Sequence, residues 1–399
     1  MNTGVIVDND LVNDKRVLRE IKIIREDGHR VFVLCFGFKG KTYPEIPGLT
    51  ITRITISKNL KNTLFFFLNT LPVYEWVWAC RIRKFINANN IDALHAHDLY
   101  MSKAAHLGIL RSGKKIPLIL DMHENFSWQV TSYNWTKGLF RNLFSRPGQW
   151  VKKEKQYLLY ADRIIVLSEE FRDHLVSKYP ELKKDNFCAL PNVPDVVQME
   201  TFKTENVKIS FTKKSPILFY FGVVAGRRGI FDALSVFSSV VREGFNLDFL
   251  IIGPVDKKDQ DRFYSIINSE ELKDHVIYYP WIDLSELPAY LGISDICIAP
   301  FLKNPHHESG VANKIYDYML GSKPLIVSDC LPQKRVIEKH NCGIAYGNLN
   351  EFHDAVIKLY NDPGLRSKMG ENGYNAILNE YNMENLSGNL KLLYNSIRN

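Results

Sequence analysis

The stretch Ile217–Ile252, ILFYFGVVAGRRGIFDALSVFSSVVREGFNLDFLII, decides how this chain is read. Its first five residues, Ile217–Phe221, are an apolar run too short for a buried helix, and they read as a buried strand. A turn with three glycines and two arginines follows, Gly222–Gly229, then a helical pattern, then a second apolar run at Leu247–Ile252. Strand, crossover helix and strand is the unit from which parallel sheets are built.

The same alternation continues on both sides. Toward the amino terminus, strands are expected at Gly4–Val7, Val31–Cys35, Leu49–Ile56, Ile91–Ala96, Pro117–Asp121 and Arg163–Leu167. Amphipathic helices are expected at Asp14–Asp27, Tyr74–Ala88, Met101–Arg111, Gln149–Leu159 and Glu169–Lys178. Toward the carboxyl terminus, strands follow at Val276–Tyr279, Ile296–Ala299, Leu325–Val327 and Gly343–Ala345, and beyond Glu351 the pattern is helical. Pro191–Lys214 carries early turn residues and little periodicity, which predicts a linker. A chain of 399 residues, 45% of them hydrophobic, can fill two cores. The expected fold class is therefore α/β, with two doubly wound parallel-sheet domains at residues 1–190 and 215–380, a linker at 191–214, and a last helix at 381–399 packing back toward the first domain. Such sheets bind ligands beyond the carboxyl ends of their strands, so the two domains are expected to face an interdomain cleft.

Composition removes several classes of function. The six cysteines are scattered, with no CxxC or Cys/His cluster, which argues against a structural zinc or a disulfide framework and suits a reducing compartment. MNTGVIVDND runs straight into an apolar strand, so secretion is not expected. The longest apolar stretch, Leu64–Ala79, is broken by Asn69, Pro72 and Glu75 and falls short of a membrane span. The net charge of +7 is uneven: residues 1–190 hold 29 Lys and Arg against 19 Asp and Glu, and the remainder holds 22 against 25. The first half is expected to face something anionic.

Polar groups gather where strands are expected to end. His97 and Asp98 follow one strand of the first half, and His123 and Glu124 follow its neighbour. In the second half, Gly222 lets the backbone approach a ligand closely, and Arg227 and Arg228 can fork onto phosphate oxygens. The segment His306–Asp329, HHESGVANKIYDYMLGSKPLIVSD, predicts a polar turn leading into a helix at Val311–Leu320. Amides at Ser309, Gly310, Val311 and Ala312, with the positive end of the helix dipole, would form an anion site. Lys314 and Asp317, three residues apart, could then supply a cation to a diphosphate and a carboxylate to a ribose.

The run Asn313–Ile326, NKIYDYMLGSKPLI, resembles the nucleotide-sugar signature of glycosyltransferase family 4, retaining enzymes of GT-B fold with two Rossmann-like domains. Supporting likenesses follow in family order: Asp14–Val17 with Gly28–Val31, Leu120–Glu124, Ala161–Ser168, Leu190–Asn192, Arg228-Gly229, Ile252-Gly253 and Ser294–Pro300. The resemblance implies that Asp317 binds donor ribose, that Arg228 binds the diphosphate, and that His123 lies near the donor sugar and its phosphate. It departs from the family at the first acidic position, which falls on Ser309 with Glu308 one residue off. It departs again at the second cation, which falls on Val223, leaving Arg227 or Lys314 to substitute. In the first loop, Asp10–Asp14 replaces a double glycine, and Asn13, Asp14, His97, Asp98 and Glu124 are the acceptor-side candidates.

The resemblance implies a hexosyl-type transfer from a nucleotide-sugar donor to a glycan or polyprenyl-linked acceptor, in bacterial polysaccharide or glycoconjugate synthesis. His123, Arg228 and Lys314 are the catalytic candidates, and the donor is a co-substrate whose nucleotide the sequence leaves open. No cofactor and no metal are expected, since amides with cations would carry the leaving charge. Front-face attack, with the leaving phosphate taking the acceptor proton, is the expected route. A sugar-nucleotide epimerase and a non-catalytic sugar- or lipid-binding relative are the alternatives; a dinucleotide oxidoreductase is disfavoured by the absence of G-x-G-x-x-G after the first strand of either half. Lys58–Lys84 and Asn134–Lys155 interleave cations with aromatics, which predicts a cytoplasmic protein held peripherally on the inner, anionic face of the membrane rather than on nucleic acid.

Overall fold

The computed structural model describes residues 1–133, 136, 138–194, 196, 207, 209, 211 and 215–397. The chain divides into two compact units, Met1–Pro191 with Ser387–Asn399, and Asn192–Leu386. Most of the expected linker, together with Asn134, Trp135 and Lys137 of the second basic–aromatic segment, lies outside the described residues.

The first unit is built on β1 (Asn2–Ile6), β2 (Arg30–Phe38), β3 (Thr50–Ile56), β4 (Ala93–His97), β5 (Leu118–Asp121), β6 (Arg163–Val166) and β7 (Phe187–Ala189). They pair in the order β3-β2-β1-β4-β5-β6-β7, every pair parallel. The second unit holds β8 (Ile217–Phe221), β9 (Asp248–Ile252), β10 (Val276–Tyr279), β11 (Ile296–Ala299), β12 (Leu325–Ser328) and β13 (Gly343–Tyr346), in the order β10-β9-β8-β11-β12-β13 and again all parallel. In both sheets the strand order reverses beside the strand that comes first in sequence, between β1 and β4 and between β8 and β11. Both units are thus doubly wound, with a switch point at which ligands of such sheets bind.

The central strands are short apolar runs buried on both faces, as β4, β5, β11 and β12 are along their whole length. Helices cover those faces with apolar stripes, and side-chain caps fix where several begin. Asp14 accepts from the Val17 amide to start the helix Lys15–Glu26, and Ser168 accepts from Phe171 to start Glu169–Lys178. Trp78, Phe36 and Trp150 anchor the first core, and Phe219, Phe237 and Phe249 are among the largest buried side chains of the second unit.

Two differences from the sequence expectation matter for function. The helix expected from Val311 begins at Asn313, because Ala312 is extended and serves as its N-cap. The helices Lys58–Phe66 and Leu139–Ser145 were not expected as elements. Within the two basic–aromatic segments, Trp78 and Trp150 are core residues, and Lys61 is tied to Asp8 at 3.1 Å. Composition shows that a segment is aromatic but not which way its rings point.

Candidate active site

In the second unit the chain leaves β8 through Gly222, whose φ of 128° suits glycine. A Cβ there would stand 3.1 Å from Lys314 Nζ and 3.9 Å from Arg228 Nη1, so the missing side chain is the space into which both cations point. Arg228 reaches it from the one-turn helix Gly226–Arg228, which ends at Gly229 with a φ of 74°. A side chain at Gly229 would put its Cβ 1.6 Å from the Pro300 carbonyl oxygen, so the close packing of this turn on the end of β11 requires glycine.

Lys314 comes from the helix Asn313–Leu320, which the Tyr318 hydroxyl ties to β8 by accepting from the Phe221 amide at 2.8 Å. The Lys314 side chain is 6% exposed and its Nζ lies 3.7 Å from the Tyr220 ring centroid and 5.2 Å from that of Phe301. Among the described residues that Nζ has no hydrogen-bond partner, and neither has Arg228 Nε. Burial, and after it the Arg228 charge, hold the Lys314 amine well below the ordinary lysine range; Asp317, one turn on and half-buried, offsets only part of this. Arg227 is different: it is exposed, and its Nε stands 3.7 Å from Asp256. Lys314, and not Arg227, is thus the cation that shares the space at Gly222 with Arg228.

The turn before this helix is largely engaged with itself. The Ser309 amide and hydroxyl both donate to the His306 carbonyl, at 3.1 and 2.6 Å, and Ser309 is buried. The Glu308 carboxylate accepts from the Leu331 amide at 3.1 Å, at the start of the helix Leu331–His340. Gly310, Val311 and Ala312 make no backbone hydrogen bond through their amides among the described residues. His306 and His307 line the same turn beside Phe301, and burial lowers both, His306 to about 4.

The first unit holds a second cluster at its own switch point. Asp121, at the end of β5, is fully buried and accepts two hydrogen bonds from Arg16, Nε at 2.8 Å and Nη2 at 2.7 Å. Arg16 also donates to the Leu190 carbonyl at 3.0 Å. His123 Nε2 stands 2.9 Å from Asp121 Oδ2 and 3.0 Å from His97 Nδ1, and His123 Nδ1 stands 3.9 Å from Asp98. Burial works against a charged His123, but the Asp121 and Asp98 carboxylates outweigh it and raise the ring to about 9. Burial lowers His97, so the pair is one charged ring against one neutral ring. A ring held charged is a hydrogen-bond donor to an anion or hydroxyl and not a base at neutral pH. Asp98 adopts a φ of 72°, unusual for a residue with a side chain, and accepts from Tyr100 at 3.0 Å.

Behind this cluster, Tyr394 of the last helix pairs with His95 Nδ1 at 2.9 Å, and the His95 and His97 rings stack 4.5 Å apart. Glu20, His95, His97 and Asp121 bring ligand-type atoms within 4.8 Å of one another. The Arg16 guanidinium already occupies both oxygens of Asp121 and stands 3.2 Å from Glu20, so the cluster carries its own cation. A divalent ion there would face that positive charge at contact distance.

The sequence-derived candidates thus fall into separate groups. Gly222, Arg228, Lys314 and Asp317 gather in the second unit, and His97, Asp98 and His123 in the first. Glu124 accepts from the Tyr133 hydroxyl and feels the charges of Asp98 and His123, Asp14 is the helix cap that also accepts from Asn9 at 2.8 Å, and Asn13 is exposed beside it. Arg16, Glu20 and Tyr394 were not expected: Arg16 meets Asp121 across 105 residues, and no local pattern announces such a pair.

Comparison with known proteins gives matches to glycosyltransferases. The family described as Glycosyltransferase Family 4 matches residues 16–196, and that described as Glycosyl transferases group 1 matches residues 202–376. Alpha-D-kanosaminyltransferase of Streptomyces kanamyceticus is 23% identical over 329 residues, 80% of this chain and 81% of that one. The capsular polysaccharide biosynthesis glycosyltransferase CapM of Staphylococcus aureus is 22% identical over 261 residues, 61% of this chain and 64% of that one. Among solved structures, sucrose-phosphate synthase of Thermosynechococcus elongatus superposes with a TM-score of 0.73 at 16% identity, covering 100% of this chain and 99% of that one. The Anabaena protein HepE, solved with UDP, gives 0.71 at 11% identity, covering 99% of each.

Proposed function

The chain belongs to glycosyltransferase family 4, with its GT-B fold, and we propose that it transfers a sugar from a nucleoside-diphosphate donor to an acceptor hydroxyl with retention of configuration. One observation carries the reading: Lys314 and Arg228 are directed at one point at the β8–β11 switch, with Lys314 Nζ and Arg228 Nε unpartnered among the described residues. Two such cations suit a diphosphate, whose negative charge grows as the bond to the anomeric carbon breaks. Asp317, one turn along the same helix, would accept from the ribose hydroxyls.

In the proposed step the anomeric carbon–oxygen bond to the diphosphate breaks as the acceptor oxygen bonds to the same face. The acceptor proton passes to the departing phosphate oxygen. Arg228 and Lys314 stabilise the leaving charge without a metal. His123, held charged by Asp121 and Asp98, is the first unit's contribution to the chemistry, as a hydrogen-bond donor. The kinship with CapM supports a role in polysaccharide synthesis. A polyprenyl-linked glycan as acceptor and a place at the cytoplasmic face of the membrane are parts of the proposal.

Incubation of the purified chain with nucleotide sugars and a lipid-linked acceptor tests this, with the anomeric configuration of the product read by NMR. Retention is expected. Arg228→Ala and Lys314→Ala are each expected to lower turnover by ~10²–10³ while the protein stays folded. Full activity in both variants would remove the assignment, and an inverted product would remove the mechanism.

A further inference from the structure

The helix Leu139–Ser145, LFRNLFS, turns its apolar side chains to solvent. Leu139 is 83% exposed, Phe140 76% and Leu143 59%, while Ser145 alone in this helix is buried. A soluble domain gains nothing from leaving these groups in water, and a patch of this kind marks an interaction site. Its backbone is held in place. Asn69 Nδ2 donates to the Ser145 carbonyl at 2.9 Å, Thr70 donates to that of Phe144 at 3.3 Å, and the Phe67 and Phe144 rings meet at 6.1 Å. Those contacts join the helix to a second exposed strip, in which Leu71 and Trp76 also face solvent.

Charge says what this surface meets. The sequence has no acidic residue between Glu124 and Glu154, nor between Glu45 and Glu75. The acids that close these two stretches, Glu75 and Glu154, are withdrawn from the surface. Glu75 is buried against Lys103 and Tyr157, and Glu154 against Lys178 and Tyr179. In the same two acid-free stretches Lys58, Arg141, Arg146 and Lys152 are exposed. No helix of the described residues is long and apolar enough to cross a membrane. A short apolar helix ringed by cations instead lies in the interface, its side chains among the acyl chains and its cations at the headgroups.

We propose that Leu139, Phe140, Leu143 and Phe144 insert into an anionic lipid bilayer, with Arg141, Arg146 and Lys152 on its headgroups. The purpose assigned to this docking, delivery of the chain to a lipid-linked acceptor, rests on the proposed transfer reaction. The docking itself is measurable without donor, acceptor or turnover.

The full chain is floated with vesicles of phosphatidylcholine alone, and with vesicles in which about one third of the lipid is phosphatidylglycerol. Co-flotation is expected only with the anionic vesicles, and salt should weaken it. Leu139→Ser with Phe140→Ser, at the two most exposed apolar positions, should reduce partitioning at least about tenfold. Circular dichroism and donor-induced thermal stabilisation should stay unchanged. Arg141→Glu with Lys152→Glu should do the same while leaving neutral vesicles unbound. Absence of flotation at low salt overturns the proposal. So does flotation that survives both pairs of substitutions, or a dimer in sedimentation that the Ser pair disperses while vesicles go unbound. Loss of sugar transfer with flotation intact would count against the transferase reading alone.

Discussion

Lys314→Arg separates charge from titration at the donor site. The Lys314 amine is buried beside Arg228, and burial followed by that neighbouring charge holds its pKa well below the ordinary lysine range. The empty protein therefore carries a neutral fraction that a bound diphosphate converts to ammonium. The bound state holds more protons than the free state, so affinity falls as pH rises between the depressed free value and the value the diphosphate restores. At full coupling one proton is taken up per diphosphate bound, and affinity drops tenfold per pH unit, about 1.4 kcal/mol. Arg228 stays charged throughout. His306, lowered to about 4, and His307, also lowered, are the other groups on this turn that could take a proton. Calorimetric titration with a nucleoside diphosphate in two buffers of different ionisation enthalpy counts the protons. Wild type should take up protons on binding, and Lys314→Arg should take up fewer while still binding. Zero uptake by wild type refutes the reasoning, and unchanged uptake in Lys314→Arg moves the proton to the histidines. The same shift predicts that the empty protein gains stability as pH rises toward the unfolded lysine value of about 10.4, because the unfolded chain binds the proton the folded chain resists.

Three further outcomes follow from the geometry. Arg16→Met leaves the buried Asp121 carboxylate without its main partner and should cost ~3–5 kcal/mol in urea unfolding, with Arg16→Met/Asp121→Leu recovering much of it; an unmoved midpoint for the single variant would sink the pair's structural role. NMR titration should find His123 near 9, falling when Asp121 becomes Asn. The stabilisation from its protonated form is then present below the unfolded value of about 6.5 and lost as pH rises through about 9. Gly229→Ala drives a Cβ into the Pro300 carbonyl at a positive φ and should cost more than ~1 kcal/mol, which thermal unfolding of the variant measures; a neutral result would mean that the turn yields freely.

The alternation of apolar runs and helical stretches was legible because buried parallel strands have little other way to look. Ile217–Phe221 and Ile296–Ala299 emerge with the bounds that were read from the sequence. Phe187–Ala189 escaped because it is three half-buried residues at a sheet edge, with no run to detect. Leu139–Ser145 escaped because its apolar residues cover no core and so trace no buried stripe. In the site, Lys314 and Asp317 were legible through their spacing on one helix. That Arg227 faces Asp256 while Lys314 shares the space at Gly222 with Arg228 was not legible, because both contacts are made across turns. Glu308 reads as a site carboxylate from its place in the turn, and the Leu331 amide it accepts from lies 23 residues on, a contact no local pattern announces. The Arg16–Asp121 pair and the Tyr394–His95 contact join residues far apart in sequence, and such pairings leave no periodic trace.

The central claim is that a nucleotide-sugar diphosphate rests on Arg228 and Lys314. Thermal unfolding of wild type and of Arg228→Ala/Lys314→Met, each against a panel of UDP-, GDP-, dTDP- and ADP-sugars, tests it most directly. One nucleotide class should stabilise wild type by about 2.7 kcal/mol at a hundredfold excess over Kd, and the double variant should show no such shift while unfolding as cooperatively as wild type. Stabilisation of the double variant equal to that of wild type, or none of wild type by any member of the panel, would contradict the account.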